Sequence, residues 1–132
     1  MILIDSNVIP GIWDPDPVWH AWSLNRLRQL SLLHELAINP IIYAEISVSF
    51  STPEALDEKL ADMEVSVLNI PRQASFLAGK AYVHYRRKGG TKSSVLADFF
   101  IGAHAFVLGC PLLIRDTRRY AAYFPGLRLI AP

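Results

Sequence analysis

The chain has 132 residues, of which 52% are hydrophobic and 19% are charged, which excludes a disordered protein and provides enough apolar material for a core. Lys and Arg total 13 against 12 Asp and Glu, so the net charge of +1 directs the chain neither to nucleic acid nor to a membrane. A single cysteine, Cys110, excludes an intrachain disulfide. Because signal-peptide features and an apolar run of about 18 residues are also missing, we expect a cytoplasmic protein with no membrane partner.

In chain order, short apolar runs alternate with segments of helical periodicity. The run MILI predicts a strand that ends before Asp5, and SNVIPGIW predicts a short helix that begins near Ser6. Further strands are predicted at ELAIN, EVSVLNI, PLLI and LRLI, and a turn at DPDP. Further helices are predicted at residues 18–30, 40–50, 52–63 and 71–87, and from a cap at Ser93 or Ser94 through the segment LADFFIGAHA. This alternation predicts an α/β fold with a mostly parallel sheet of four or five strands and helices on both faces.

One helix start is specified in detail by its sequence. Asn39 follows the predicted strand ELAIN, and Pro40 follows Asn39 directly. Asn is a preferred N-cap residue, and Pro is favoured at the first helical position because its missing N–H is not needed there. We therefore expect Asn39 to cap the helix that carries Glu45.

Four of the acidic residues lie in apolar surroundings: Asp5, Glu45, Asp98 and Asp116. Asp5 and Asp116 follow predicted strands, whereas Glu45 and Asp98 lie within the first turn and a half of their helices. A helix that leaves a parallel strand starts at the carboxyl edge of the sheet, which is where open α/β sheets bind ligands. The four carboxylates are therefore expected to converge on that edge.

Four carboxylates in one pocket repel one another, so either several of them are protonated or a divalent cation neutralises them. The local sequence places no Lys or Arg among all four. An all-oxygen set without His or Cys spacing favours Mg²⁺ or Mn²⁺ over zinc, and such a site suits hydrolysis of a phosphodiester. Three of these acids also have a purely structural interpretation when each is considered alone. Asp116 is then a turn residue at the end of a strand, Asp5 caps the next helix, and Glu45 extends into solvent.

Four segments of the chain together resemble the PIN-domain ribonucleases, and specifically the VapC-type toxins of bacterial toxin–antitoxin pairs. They are MILIDSNVI, YAEI, LADFFIGAHA and LLIRDTRRYAAYFPGLRLI. The similarity extends from Ile2 to Ile130 in the order and spacing of the family. It implies a PIN-like three-layer α/β/α sandwich, with residues 1–132 forming a single PIN domain.

The resemblance also implies a function. Asp5, Glu45, Asp98 and Asp116 match the catalytic acids of the family, with Asp5, Asp98 and Asp116 as metal ligands. Asn7 matches the polar residue of the first motif, and we assign it to substrate binding. The implied activity is Mg²⁺- or Mn²⁺-dependent cleavage of RNA, often transfer RNA. The implied partners are a second copy of the chain and a cognate VapB-like antitoxin that covers the active site.

The chain departs from the family pattern at two positions. Ala97 stands where Pro is frequent, and Ile114 stands where Thr or Ser is frequent. Ile114 lacks the hydroxyl that helps to position the site in the family, and Thr117 is the candidate to supply one instead. The missing hydroxyl keeps one alternative open, a catalytically weakened module that binds RNA or protein. A metal-dependent phosphatase is a further alternative, although that chemistry usually needs a second acid where this chain has Asn7.

Seven cations flank the acidic edge in the sequence, and we expect them to hold RNA phosphates. They are Arg86, Arg87, Lys88, Lys92, Arg115, Arg118 and Arg119. Tyr120 and Tyr123 are candidates for base stacking, with a place in the core as the alternative. His104 lies six residues after Asp98 and is expected to pack in the core rather than to bind a metal.

Overall fold

The computed structural model describes residues 1–13 and 19–132, so the predicted turn at Asp14–Pro17 lies outside the described residues. The strands are β1 (Ile2–Ile4), β2 (Leu36–Ile38), β3 (Val65–Val67), β4 (Leu112–Leu113) and β5 (Leu129–Ile130). The helices are α1 (Pro10–Trp13), α2 (His20–Ser31), α3 (Pro40–Ser47), α4 (Pro53–Asp62), α5 (Arg72–Arg87), α6 (Val95–Leu108) and α7 (Arg118–Tyr123).

The strands form one sheet in the order β3-β2-β1-β4-β5, and every pairing is parallel. The predicted three-layer α/β/α architecture is confirmed, and the sheet is wholly rather than mostly parallel. Residues of β1, β2 and β4 are buried throughout, as expected for strands covered by helices on both faces.

The topology creates a crevice between two neighbouring strands. The chain runs outward from β1 to β2 and β3, and then crosses back to form β4 on the other side of β1. The connections that leave β1 and β4 therefore diverge, which opens a gap beyond the carboxyl ends of these two strands. Asp5 follows β1 directly, and Asp116 lies three residues beyond β4.

The predicted cap at Asn39 is present, and Thr52 forms a second cap that was not specified in advance. The Asn39 side chain accepts a hydrogen bond from the Ile42 N–H at 3.0 Å, and Pro40 is the first residue of α3. Thr52 accepts a hydrogen bond from the Ala55 N–H at 3.2 Å and caps α4 in the same way. Both bonds satisfy N–H groups that the first turn of a helix leaves without a partner.

Two local predictions are wrong, and one helix was not predicted. Ser6 and the residues after it form a turn, and α1 begins only at Pro10, because Pro suits the first helical position better than the interior. Ser94 occupies the N-cap position of α6 but its backbone is already helical, with φ −61° and ψ −22°, and its side chain makes no capping bond. The helix α7 was not predicted, because its six residues are too few to show helical periodicity.

The helix α6 is enclosed by the rest of the molecule. Its buried residues are Val95, Phe99, Ile101, Gly102, Ala103, His104 and Ala105. It ends at Gly109, whose φ of 67° lies in the left-handed region that favours glycine. Within the described ranges, no helix is both long and apolar enough to cross a membrane.

Gly102 allows α7 to pack closely against α6. A Cβ atom at this position would lie 2.7 Å from the Phe124 ring and 2.9 Å from the Tyr120 ring. Because both rings are buried, Gly102→Ala is expected to lower the free energy of unfolding by about 1–3 kcal/mol. Urea unfolding measures this change. Gly79→Ala on α5 is the matched control, because a Cβ there meets no atom within 4 Å, and a similar loss of stability in the control would contradict the packing explanation.

Candidate active site

Asp5 is placed at the crevice by the hydrogen bonds of the sheet. Its N–H donates to the Leu113 carbonyl at 2.9 Å, which continues the pairing of β1 with β4 by one residue. Its carboxylate accepts the Asn7 N–H at 3.3 Å, and the Tyr120 hydroxyl lies 3.5 Å from the other oxygen. The Asp5 residue is only 3% exposed, so its carboxylate is held at the base of the crevice.

The electrostatic environment of Asp5 favours the protonated acid. The pKa of Asp5 is raised from 3.8 to about 6, first by burial and also by the charges of Asp98 and Glu45, while backbone hydrogen bonds, chiefly from the Asn7 N–H, oppose the rise. Because the charges of Asp98 and Glu45 raise the pKa of Asp5, both carboxylates lie within electrostatic range of it. A raised pKa among other acids indicates that too little positive charge lies nearby to stabilise the ionised carboxylate.

Asp98 projects from the first turn of α6 and pairs with Arg119 of α7. Burial raises the pKa of Asp98, and the guanidinium of Arg119 lowers it by charge and by hydrogen bonding. Burial is the larger influence, so the pKa of Asp98 remains above its ordinary value even with an arginine in contact. The pair is only partly exposed, with 36% of the Arg119 side chain and 30% of the Asp98 side chain open to solvent.

Asp116 is paired with Arg118 at the outer side of the crevice. The Arg118 Nε and Nη2 groups donate to the two carboxylate oxygens at 3.1 and 2.8 Å, and the Arg118 backbone N–H donates at 3.1 Å. These bonds hold the pKa of Asp116 down to about 2. The fork of the guanidinium matches the carboxylate geometry, but both side chains are open to solvent, which limits the energy of the pair.

Glu45 lies beside this group rather than within it. Its residue is exposed, and it does not line the cavity that contains the three aspartates. Partial burial of the carboxyl group raises the pKa of Glu45, a hydrogen bond with the Ser6 side chain lowers it, and the charge of Asp98 raises it. Glu45 is thus close enough to Asp5 and Asp98 for their negative charges to repel one another.

The three aspartates share one cavity of about 230 Å³. Its lining consists of Asp5, Asn7, Asp98, Ile114, Asp116, Arg118, Arg119 and Tyr120. The convergence expected from the sequence is therefore present for the three aspartates. In contrast, the local sequence placed no cation among the acids, and the structure places two arginines from α7 there. Ile114 provides an apolar wall of this cavity.

The chemistry of this lining fits a hard divalent cation. Carboxylates and one amide provide oxygen ligands, and no His or Cys side chain lines the cavity, a set that suits Mg²⁺ or Mn²⁺. However, no group of three or more His, Cys, Asp or Glu side chains among residues 1–13 and 19–132 is arranged to hold a metal ion. Asp98 and Asp116 are each paired with an arginine, so a cation that bound them would have to displace the guanidinium groups.

The other predicted cations do not line the cavity. The Arg115 guanidinium donates to the Asn7 carbonyl at 3.0 Å and lies 4.3 Å from the Trp19 ring centre, so Arg115 supports the turn after β1. The cations at the C-terminal end of α5 are exposed. Lys88 lies 5.9 Å from the Tyr123 ring centre, and Tyr123 packs against Phe99 of α6 with 5.0 Å between ring centres.

Two contributions to the site were missed in the sequence. Tyr120 was considered for base stacking, but it is buried and directs its hydroxyl at Asp5. Ser6 was assigned to a helix start, and its side chain instead lies close enough to Glu45 to lower the pKa of that carboxyl group. Neither contact has a signal in the local sequence, because each joins residues from elements far apart along the chain.

The fold is therefore a parallel α/β sheet whose strand order reverses at β1 and β4. Carboxylates from separate elements line an acidic crevice at this point, beyond the carboxyl ends of the two strands. The chain belongs to the PIN domain family, because the family model described as PIN domain matches residues 2–125. Among curated proteins, none matches the chain.

The chain is also similar to solved structures from toxin–antitoxin systems. VapBC2 from Rickettsia felis, bound to a DNA fragment from its promoter, gives a TM-score of 0.76 at 20% identity and covers 100% of this chain and 99% of its own. VapBC-1 from nontypeable Haemophilus influenzae gives 0.72 at 21% identity, covering 99% and 98%. A toxin–antitoxin complex from Klebsiella pneumoniae gives 0.64 at 18% identity, covering 98% and 96%. At these identities the similarity concerns the fold.

Proposed function

We propose that this protein is a metal-dependent endoribonuclease and the toxin of a type II toxin–antitoxin pair, with residues 1–132 acting as one PIN domain. The observation that carries the proposal is the convergence of Asp5, Asp98 and Asp116 on one cavity at the switch point of the sheet. Membership of the PIN domain family supports the same assignment.

In this proposal Asp5, Asp98 and Asp116 hold Mg²⁺ or Mn²⁺, and Glu45 completes the catalytic acids. The bound cation would stabilise the negative charge that develops on the scissile phosphate. Asp5 contributes most through its position, because it is buried, tied to the sheet and unpaired with any cation in the contacts of the described residues. The Asn7 N–H and the Tyr120 hydroxyl orient its two oxygens.

We further propose that the cations around the cavity bind the RNA backbone. Arg118 and Arg119 pair with Asp116 and Asp98. If these carboxylates held a metal ion, the two guanidinium groups would be available to bind phosphates of the RNA backbone. Arg86, Arg87, Lys88 and Lys92 extend this basic surface along the end of α5 and the loop before α6. Arg115 contributes by supporting the turn that contains Asn7.

The proposed partners are a second copy of the chain and a VapB-like antitoxin that covers the active site. The fold similarity to the Klebsiella pneumoniae toxin–antitoxin complex supports this proposal. An acidic crevice that already accepts two guanidinium groups from its own chain is also chemically suited to a basic segment of a partner.

A second candidate, a PIN-fold module that binds RNA or protein without cutting RNA, is favoured by one observation. Arg118 and Arg119 neutralise two of the three aspartates, so the cavity is stable without a metal. If these pairs persist in the presence of divalent cations, the protein retains a charged groove but no metal chemistry.

Incubation of the purified protein with RNA distinguishes these functions. With Mg²⁺ or Mn²⁺ we expect cleavage, and with excess chelator we expect the rate to fall at least ~100-fold, because a metal contributes several kcal/mol to the transition state. Re-addition of Mn²⁺ after chelation should restore the rate. Equal cutting in all tubes would contradict the proposal. RNA binding without cleavage would favour the module, and release of phosphate from a monoester without RNA cleavage would favour a phosphatase.

A further inference from the structure

A buried side-chain hydrogen bond joins two helices that carry site residues. Asn39 and His104 are both completely buried. The Asn39 Nδ2 atom lies 3.2 Å from the His104 Nδ1 atom, and the Asn39 Oδ1 atom accepts the Ile42 N–H at the start of α3. One amide group therefore caps α3 and contacts α6 at the same time.

The chemistry of this bridge determines the form of the histidine. A backbone N–H can only donate, so the atom of Asn39 that faces Ile42 is the oxygen, and the amide nitrogen faces His104. Because that nitrogen can only donate, the Nδ1 atom of His104 must accept, and the ring is neutral with its proton on Nε2. The Nε2 atom has no hydrogen-bond partner in the described part of the chain. Burial of this unsatisfied donor lowers the stability of the fold, so the pair is not explained by stability alone.

The position of the bridge relates it to the acidic cavity. Asn39 lies six residues before Glu45, and His104 lies six residues after Asp98. The helices α3 and α6 are in contact, and a helix transmits a displacement of one end to the other because its backbone is hydrogen-bonded throughout. Loss of the bridge would therefore shift Glu45 relative to Asp98.

We propose that Asn39 and His104 are positioning residues that hold the Glu45 and Asp98 carboxylates at their working separation. Neither side chain lines the cavity, so they act through α3 and α6 and not on the substrate. The inference rests on the proposed function, since it concerns the geometry of the proposed catalytic acids.

The test compares two variants of matched shape. In His104→Asn the new amide oxygen occupies nearly the position of Nδ1 and can accept the Asn39 N–H, whereas His104→Leu has a similar size and no acceptor. At a temperature where both variants are folded, we expect His104→Asn to retain kcat within about threefold of wild type. We expect His104→Leu to lose about tenfold or more, because small displacements of catalytic groups have large effects on rate. The KM for RNA should change little, since the phosphate-binding cations are not displaced.

Three controls separate positioning from stability. Asn39→Ser keeps a capping oxygen but cannot reach His104, so it should resemble His104→Leu in kcat. Thr52→Ala removes the equivalent cap of α4, a helix without proposed catalytic residues, and should lower stability by about 1 kcal/mol with kcat unchanged. The Mn²⁺ affinity of each variant, measured by calorimetry, gives a readout independent of cleavage, and we expect it to fall in His104→Leu and Asn39→Ser.

The failure of the inference differs from the failure of the proposed function. If wild-type protein cuts RNA with Mn²⁺ and His104→Leu matches His104→Asn in kcat and Mn²⁺ affinity, the positioning role is wrong and the nuclease stands. If wild-type protein binds Mn²⁺ without cutting RNA, the nuclease is wrong and the Mn²⁺ affinities decide the positioning role. Wild-type protein that neither cuts RNA nor binds Mn²⁺ would overturn both.

Discussion

Replacement of Asp5 by Asn is expected to abolish RNA cleavage and, in the same protein, to stabilise the fold. Cleavage should fall at least ~100-fold, because an amide is a much weaker ligand for a hard cation than a carboxylate. In metal-free buffer at neutral pH, the free energy of unfolding should rise by about 3 kcal/mol, since each pKa unit corresponds to about 1.4 kcal/mol. A site that functions by gathering negative charge is expected to reduce the stability of the fold that builds it.

The stability effect has a defined dependence on pH. The pKa of Asp5 is raised from 3.8 to about 6 in the folded protein, first by burial and also by the charges of Asp98 and Glu45. Below pH 3.8 both folded and unfolded states are protonated, so Asp5 has no cost. Between these two values the unfolded state ionises and the folded state keeps its proton, so wild-type stability falls as pH rises. Above about pH 6 the cost is constant, and Asp5→Asn removes it.

Urea unfolding in chelator at pH 4 and pH 7 measures this difference. We expect Asp5→Asn to be close to wild type at pH 4 and more stable at pH 7. The introduced amide can still accept the Asn7 N–H and donate to the Tyr120 hydroxyl, so its polar neighbours remain satisfied. Glu58→Gln is the matched control, because Glu58 is an exposed acid of α4, and surface substitutions change stability by about 0.5 kcal/mol or less. An equal gain at both pH values would contradict the ionisation explanation.

Replacement of Arg119 by Gln is expected to tighten Mn²⁺ binding by about tenfold, which corresponds to about 1.4 kcal/mol. In the wild-type protein, Arg119 contacts Asp98, so a metal must displace a guanidinium before Asp98 can bind it. Without Arg119, the charges of Asp98 and Asp5 are less compensated and attract the cation more strongly. RNA binding should weaken at the same time, because the variant lacks a proposed phosphate contact.

Arg118→Gln is the matched control for this competition. Arg118 pairs with Asp116 in the same cavity, but the two side chains are 89% and 58% exposed, against 36% and 30% for Arg119 and Asp98. An exposed pair contributes little, so Mn²⁺ affinity should change by less than about threefold. Titration calorimetry at one ionic strength compares the three proteins. Unchanged or weaker Mn²⁺ binding in Arg119→Gln would show that the guanidinium does not compete with the metal.

Asp5→Asn removes a negative charge from the cavity, and Arg119→Gln removes a positive charge from it. Together they test how the carboxylates and arginines of the cavity balance one another. Asp5 is the buried carboxylate that lacks a cation in the described contacts, and Asp98 is the carboxylate that its own chain neutralises. If both predictions hold, the arginines of α7 keep the cavity stable in the absence of metal, and binding of metal and RNA redistributes the same positive charges. This balance would let a single small domain be stable alone and active only with its cation.

Several features could be predicted from the sequence because their causes are local. Apolar runs of strand length and amphipathic segments mark the α/β alternation, and the Asn39 and Thr52 caps need only residues that are adjacent or three apart. Asp5 and Asp116 could be assigned to the sheet edge because each follows a buried strand, and parallel strands present their carboxyl ends together. The convergence of the aspartates could therefore be predicted from their positions at strand ends and helix starts. No measured distance between the side chains was needed.

The contacts that set the charge of the site are decided only by the tertiary structure. Arg119 lies three residues from Asp116 in the sequence, yet it pairs with Asp98, 21 residues away, because the short helix α7 directs its side chain across the crevice. Asn39 and His104 are 65 residues apart and meet only where α3 packs on α6. Hydrophobic periodicity determines which face of an element is buried. The side chains that meet across two elements depend on their relative orientation, which is fixed only when the whole core packs.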